Sequence, residues 1–593
     1  MNNKLNITRT VLKIDVYLSL AVFFAMVFGY FCFIANYVLF FQETQALFIF
    51  SREYLHQFVL KPGGLLEYAG RFFTQFYAGK FSGSLILSVA LTLPGIILYF
   101  INKRLSNSGS LSLLLLLIPS FLLFLMQANY YHLIEYNLGF ILILSFYLFS
   151  ISSVRIYHRT LVLILVPFFY YLTGGYILIF GGLYIIHNFF LEKANLRYIN
   201  PGLLLGIIAA SFLAFWKIIF LQPVAHIILF PLPVLENTPY KITFFILTAY
   251  IVLYPLICRF ALNGKDSWIN KRLYSVITVA FVFAINIFLL FRIYNPQTAR
   301  VIELEKLIFA EKWNDAITLH ETKPSRNLIG QYFYNIALSE SDQMCDRLFF
   351  GSQDFGEKSL VLPWGDEHLN RGAYFYYSIG LINEAHRWAY EEMVVYGYRP
   401  ENIKLLTKTS LIDGDYRVAR KYINILKRTI YYRDWAIKYE KMADNPDLIK
   451  SDRELGEKLK ILPKSNFFIL FNEPQNNLPL LLEAQPDNRR AFEYYLAGLL
   501  LTKNVEIIMN NISKLKGIGY NHIPRHIEEA ILISYNSKKV LPDLGGLTIS
   551  AGTQERFDHY FVSYIEARRN PSTMKEKMQP EFGNTFWYFF HFK

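Results

Sequence analysis

The residues of this chain with chemical potential are carboxylates and imidazoles set between long apolar runs. Glu43, Glu53 and Glu67 lie between the first two runs, His132 and Glu135 between the third and fourth, and His226 and Glu236 between the seventh and eighth. A carboxylate so placed can act as general base for an acceptor hydroxyl, or hold a divalent cation. Arg52, Lys61, Arg71 and Lys241 share these segments, and a guanidinium or ammonium there can neutralise a lipid phosphate. Glu43 is the first candidate for the base because it directly follows the first apolar run. Glu135 is the second, with His132 three residues before it to assist, and Arg52 and Arg71 are the candidates for the phosphate. Glu67 and Arg71 stand four apart in the order that favours a helical ion pair, so Arg71 has an internal competitor. The bland account is that interfacial loops carry polar residues because they are wet.

Other chemistry has no signature. The three cysteines, Cys32, Cys258 and Cys345, are too few and too scattered for a disulfide framework or a thiolate metal site. No Walker A loop, dinucleotide fingerprint, HExxH or GxSxG element stands in context; these residues name no particular cofactor, and no metal is assigned to a site.

The elements that must position these residues are membrane helices. Hydrophobic residues make up 53% of the 593 and charged residues only 18%, below the ~25% of soluble domains. Spans of about 20 apolar residues are expected at Ile14–Phe41, Gly83–Ile101, Ser110–Met126, Leu138–Val154, Gly202–Leu221, Ile242–Leu262 and Leu273–Phe291. Leu161–Phe190, interrupted by Pro167 and Gly174-Gly175, is one long helix or two short ones. Two crossings there place Lys193, Arg197, Arg259, Lys265, Lys271 and Arg272 on the same side as Lys4, Arg9, Lys13, Lys103, Arg104, Arg155 and Arg159. The positive-inside rule therefore predicts nine crossings, an inside N-terminus and an outside C-terminal half. The segment 42–82 becomes a long outer loop, read as two interfacial helices, Leu47–Leu60 and Leu65–Phe76, with their apolar sides to lipid.

Charge is divided unevenly. Of 59 basic and 46 acidic residues, 20 and 8 fall within 1–295, leaving 39 and 38 beyond. The excess lies in the apolar half, where it sets topology, so nucleic acid is not an expected partner. Residues 296–593 read as charged helical segments split by Pro, Gly and Asn. Gly380 and Ala385 recur as Gly414 and Ala419 at a spacing of 34, and Ala316 lies 69 before Ala385. Thirty-four is the tetratricopeptide (TPR) period, in which a small residue lets paired helices pack closely. The fold class expected is thus all-α: a polytopic membrane bundle over 1–295, then a TPR-like helical solenoid over 296–593, outside the cytoplasm. Such stacks form concave surfaces that bind protein segments.

Two resemblances rest on these residues. Lys61–Phe76 and Gly380–Trp435, with Gly414-Asp415-Tyr416, Ala419, Tyr422 and Tyr432-Arg433-Asp434-Trp435-Ala436, resemble a family of uncharacterised bacterial multi-pass membrane proteins with a helical tail. The layout of a first span, a long outer loop, a multi-span bundle and an outer C-terminal domain resembles the GT-C membrane glycosyltransferases. That resemblance implies a polyprenyl-phosphate-linked sugar as donor and an acidic residue of the first outer loop in catalysis. The matching position reads Phe41-Gln42-Glu43-Thr44, with a single Glu. The expected setting is the bacterial cytoplasmic membrane, with the lipid bilayer as partner. The alternative expectation is a non-catalytic anchor whose helical domain docks envelope proteins.

Overall fold

Long apolar runs without water must satisfy their backbone internally, and helices do so within one segment. In the computed structural model every regular element among the described residues (2–105, 113–153, 155–191, 199–234, 238–262, 272–365, 368–470 and 473–593) is helical. Two units form: Met1–Asn295 with Arg428–Tyr431, and Pro296–Lys427 with Tyr432–Lys593.

The first unit contains α1 (Asn2–Gly29), α2 (Asn36–Thr44), α3 (Arg52–Val59), α4 (Gly64–Thr74), α5 (Lys80–Leu105), α6 (Leu113–Gln127), α7 (Ile134–Ser150), α8 (Ile156–Thr173), α9 (Tyr176–Leu191), α10 (Ile199–Ile218), α11 (Val224–Leu229), α12 (Lys241–Leu262) and α13 (Arg272–Ile293). Among the described residues, six stretches are long and apolar enough to cross a membrane: Asp15–Ile34, Lys80–Leu105, Ile156–Thr173, Asn200–Ile218, Lys241–Phe260 and Val276–Ile293. Leu115–Gln127, Ile134–Ser150 and Tyr176–Leu191 are apolar but shorter. Over the described residues each runs about 20–25 Å at ~1.5 Å per residue, against a ~30 Å hydrocarbon core. Among the described residues, six full-length spans are seen against the nine crossings expected. The stretch 161–190 is broken at Gly174-Gly175 into α8 and α9, which pack on each other. Ser110, Val154, Lys193, Arg197, Glu236, Lys265 and Lys271 lie outside the described residues.

A π-helical turn, Tyr30–Ile34, separates α1 from α2, and its wider ring is closed by Ala35 N–H donating to the Tyr30 carbonyl at 2.8 Å. The loop after α2 differs from a pair of helices lying flat. Leu47, Phe48 and Ile49 are buried one after another, which no single helical face allows, and helix begins only at Arg52. Ser51, in extended conformation, caps it by accepting from Tyr54 N–H at 3.1 Å. Phe48 instead sits among Tyr54, Tyr68 and Phe72, with ring centroids 5.0–5.5 Å away. Nor does α4 turn freely outward: Leu66, Glu67, Gly70 and Thr74 form its buried stripe, and α4 packs on α7 and α8.

The second unit contains α14 (Pro296–Phe309), α15 (Trp313–Thr322), α16 (Leu328–Glu340), α17 (Met344–Arg347), α18 (Leu369–Ser378), α19 (Ile382–Tyr396), α20 (Pro400–Ile412), α21 (Tyr416–Lys427), α22 (Arg433–Asp444), α23 (Asp447–Ser451), α24 (Arg453–Lys460), α25 (Asn477–Ala484), α26 (Arg489–Leu501), α27 (Val505–Asn511), α28 (Arg525–Lys538), α29 (Ala551–Ala567), α30 (Pro571–Phe582) and α31 (Phe586–Phe592). One turn recurs in it. Glu311, Asp342, Gly380, Gly414 and Lys503 each adopt a positive φ of 55–82°. In each case the next N–H donates back five residues, at 2.8–2.9 Å, to Leu307, Leu338, Tyr376, Ser410 and Leu499. This is the Schellman closure of a helix, and each time a second helix starts one residue later. Ala316, Ala385 and Ala419, fully buried, sit five residues after three of these turns.

The 34-residue spacing therefore marks one pair of hairpins. Glu311, Asp342 and Gly380 are separated by 31 and then 38 residues, because helix and loop lengths differ. The first helices of successive hairpins touch, α14 on α16 and α16 on α18, and the chain from α18 to α22 packs in order. At the far end Phe586, Trp587, Tyr588 and Phe589 are buried. The Glu529 carboxylate accepts from Phe586 N–H at 2.7 Å, and the Glu529 carbonyl from the Trp587 indole at 2.9 Å.

Candidate functional site

Four polar side chains meet where α2 ends and the loop from α6 to α7 begins. Gln42 donates to the carbonyls of Tyr130 and His132, at 3.1 and 2.9 Å. Gln127 donates to the same His132 carbonyl at 3.0 Å, and Asn137 donates to Gln127 Oε1 at 2.5 Å. The Asn137 amide so oriented turns its oxygen to His132 Nε2, 3.0 Å away. His132 is therefore the Nε2–H tautomer, and Nδ1 carries a bare lone pair, buried and without a hydrogen-bond partner. Burial lowers the His132 pKa to about 4, against the hydrogen bond to Asn137. The imidazole is neutral. The rings of Tyr240 and Tyr136 flank it, with centroids 4.9 and 5.2 Å away.

Beside this net, α3 and α4 bring charge onto α7. Tyr171 of α8 ties them down: its hydroxyl donates to the Val59 carbonyl at 3.0 Å, and its carbonyl accepts from Gly63 N–H at 3.1 Å. Glu67, buried, is held by Lys61 and by Arg71 Nε at 3.0 Å. Glu135, in the first turn of α7, is buried against Gly70, where a Cβ would fall 2.6 Å from its Oε2. Burial pulls the Arg71 pKa down, but Glu67, Tyr54 and Glu135 outweigh it and leave the pKa raised. Tyr77 is buried with its hydroxyl unpartnered; burial, and next Glu135, push its pKa well above the usual value.

The sequence-derived candidates separate. Arg71 and Glu135 come together with Glu67, and His132 sits three residues before Glu135 on the same junction. Glu43 is buried in the last turn of α2, next to the Gln42 that grips the His132 loop. Arg52 is exposed at the start of α3, beside an exposed Glu53. His226 is exposed on α11. Sequence reasoning missed Gln42, Gln127, Asn137 and Gly70. The available signal was polar residues at the ends of apolar runs, each unremarkable alone. Among the described residues, no three of His, Cys, Asp or Glu gather where a metal ion could be held.

A model described as a family of unknown function, DUF6057, matches residues 11–593. The chain belongs to that family. No curated protein and no solved structure matches it. The match runs through both units, so the polar site and the helical hairpins are parts of one family architecture.

Proposed function

We propose that this protein is a GT-C-like transferase of lipid-linked sugars, working at the outer leaflet of the bacterial cytoplasmic membrane. In this reading α8 and α9 cross as a pair of short helices, nine crossings result, and the second unit lies outside the cytoplasm. The observation that carries the reading is the buried Glu135 carboxylate, seated on Gly70 beside Arg71. A passive anchor has no use for a carboxylate drawn out of water beside a guanidinium, since such burial costs several kcal/mol unless repaid. In the reaction the acceptor hydroxyl oxygen bonds to the anomeric carbon while the bond from that carbon to the phosphate oxygen breaks. The phosphate keeps the electron pair, and the hydroxyl proton passes to a carboxylate, Glu135 or Glu43. Arg71 meets the phosphate charge.

The test is turnover in vesicles containing the full-length protein and radiolabelled polyprenyl-phosphate sugars. Release of polyprenyl phosphate that depends on the protein supports the reading. No release from any donor, with the protein folded, would count against it.

A second reading is an anchor that docks envelope proteins. The recurring hairpins support it, since their first helices pack in succession in the manner of binding arrays. Recovery of a stoichiometric protein partner from native membranes, with no transfer activity, would favour it.

A further inference from the structure

The second unit holds a cavity of about 560 Å³, within the ~300–1,000 Å³ typical of small-molecule sites. It is built by the first helices of successive hairpins, α14, α16, α18 and α20, and closed by α22, α24 and α26. It is therefore the inner face of the stack.

Two aromatic stacks line it. Phe309 and Tyr374 lie 5.5 Å apart at 21°, and Trp435 and Tyr439 lie 4.0 Å apart at 22°. Trp313, half-buried at the start of α15, adds a further ring. The face of an aromatic ring is electron-rich and attracts the polarised C–H groups of a ring laid upon it.

The remaining lining is charged but balanced, with six carboxylates and five cations. Four of the five cations, all but Arg453, are in ion pairs with these carboxylates. Lys408 meets Glu311 at 2.8 Å and Glu454 at 2.7 Å, Lys404 meets Glu401 at 2.6 Å, and Arg490 meets Glu340 at 2.7 Å. An anion entering would face the carboxylates and a cation the ammonium groups, so the cavity selects a neutral guest. Each carboxylate keeps lone pairs, and each ammonium keeps protons, beyond those used in its pair. A hydroxyl, which both donates and accepts, can bridge such a pair, and neighbouring hydroxyls on one ring can bridge two. Side-chain amides, the usual partners of peptide backbone, do not line it among the described residues.

We propose that this cavity binds a short neutral oligosaccharide, with the sugar rings laid on Trp435 and Trp313 and the hydroxyls between the paired charges. The binding needs no catalysis and stands apart from the transferase reading.

The test uses the full-length protein in lipid nanodiscs, free of glycoside detergents, and titrates hexasaccharides of glucose, mannose and N-acetylglucosamine by calorimetry. At least one is expected to bind. Trp435→Ala and Trp313→Ala, on different helices, should each weaken it tenfold or more without moving the melting transition, and Trp435→Phe should retain it. Because binding is read without turnover, an inactive membrane half leaves this result intact. The proposal is overturned if none of the three sugars binds, or if binding ignores both tryptophans. It also fails if a peptide occupies the cavity through Trp435 and no sugar competes.

Discussion

Glu135 fills the space that a side chain at position 70 would need. With Gly70 in place the carboxylate lies against the backbone of α4; a Cβ would stand 2.6 Å from Oε2 and 3.2 Å from the Glu135 Cα. Gly70→Ala therefore has to push α4 off α7, despite the better helix propensity of alanine. Overpacking of this kind costs about 1–3 kcal/mol. Thermal unfolding of the purified protein in nanodiscs should show the loss, and an unchanged melting point would mean that the two helices are not so closely seated.

Replacing Glu135 by Gln keeps shape and removes the charge and the base. A general base typically contributes ~10²–10⁴-fold in rate, so Glu135→Gln should lose sugar transfer by that margin while its amount in membranes stays the same. Glu43→Gln is the paired control, because Glu43 is the first candidate from sequence. Whichever variant remains fully active is not the base.

His132 makes stability depend on pH. Its folded pKa, about 4, lies below the ~6.5 of an exposed histidine, so the unfolded chain binds the extra proton first as pH falls. Stability from this residue is present above pH 6.5 and is lost as pH falls towards 4, on the order of 3 kcal/mol in all. Glu392 and Glu493, raised to about 7 by burial, run the other way. The useful quantity is thus the difference between wild type and His132→Gln across pH 4–7. Parallel melting curves would show that His132 is not buried as described.

The hairpin turns make a graded prediction. Gly414 has φ +80° and no atom nearer than the Tyr416 hydroxyl, 4.0 Å from where its Cβ would be, so Gly414→Ala carries only the left-handed backbone cost, roughly 1 kcal/mol. Gly380 has φ +82° and Ile461 2.9 Å from where its Cβ would be, so Gly380→Ala should lose more. Equal losses in differential scanning calorimetry would contradict the packing of Ile461 on that turn.

Ala419 lies where α21 meets α20, fully buried. Ala419→Leu should lower the melting transition by an amount corresponding to about 1–3 kcal/mol. No change would remove the close helix contact from the hairpin description.

The helical character of both halves could be read ahead of the structure because each signal is local. Unbroken apolar runs with basic connections read as helices long enough to cross a membrane, and the break at Gly174-Gly175 is visible as glycine. The turns at Glu311, Asp342 and Lys503 could not be read. Nothing in a Glu, Asp or Lys announces a left-handed backbone, which the surrounding helices impose. Hence a spacing of 34 stood out at the two glycine turns, while turns of other lengths went unseen. The candidate site shows the same division. Glu135 and Arg71 were visible as charges, but the grip of Gln42 on the His132 loop joins residues 90 apart and exists only in three dimensions.

The π-helical turn at Tyr30–Ile34 has a consequence for which changes the first span can absorb. A wider turn holds one residue more than an α-helical turn, and each residue of helix rotates the downstream chain by about 100°. Loss of a single residue there would let the turn relax to ordinary helix without breaking the span. Because the wide turn absorbs that extra residue, its loss would leave Gln42 at nearly its present rotation, whereas a deletion within the regular part of α1 would swing it by more than a quarter of a revolution, away from the His132 loop it grips. Single-residue deletion at Tyr30–Ile34 should accordingly be tolerated far better than deletion elsewhere in the span, a bias that random single-codon deletion libraries can measure.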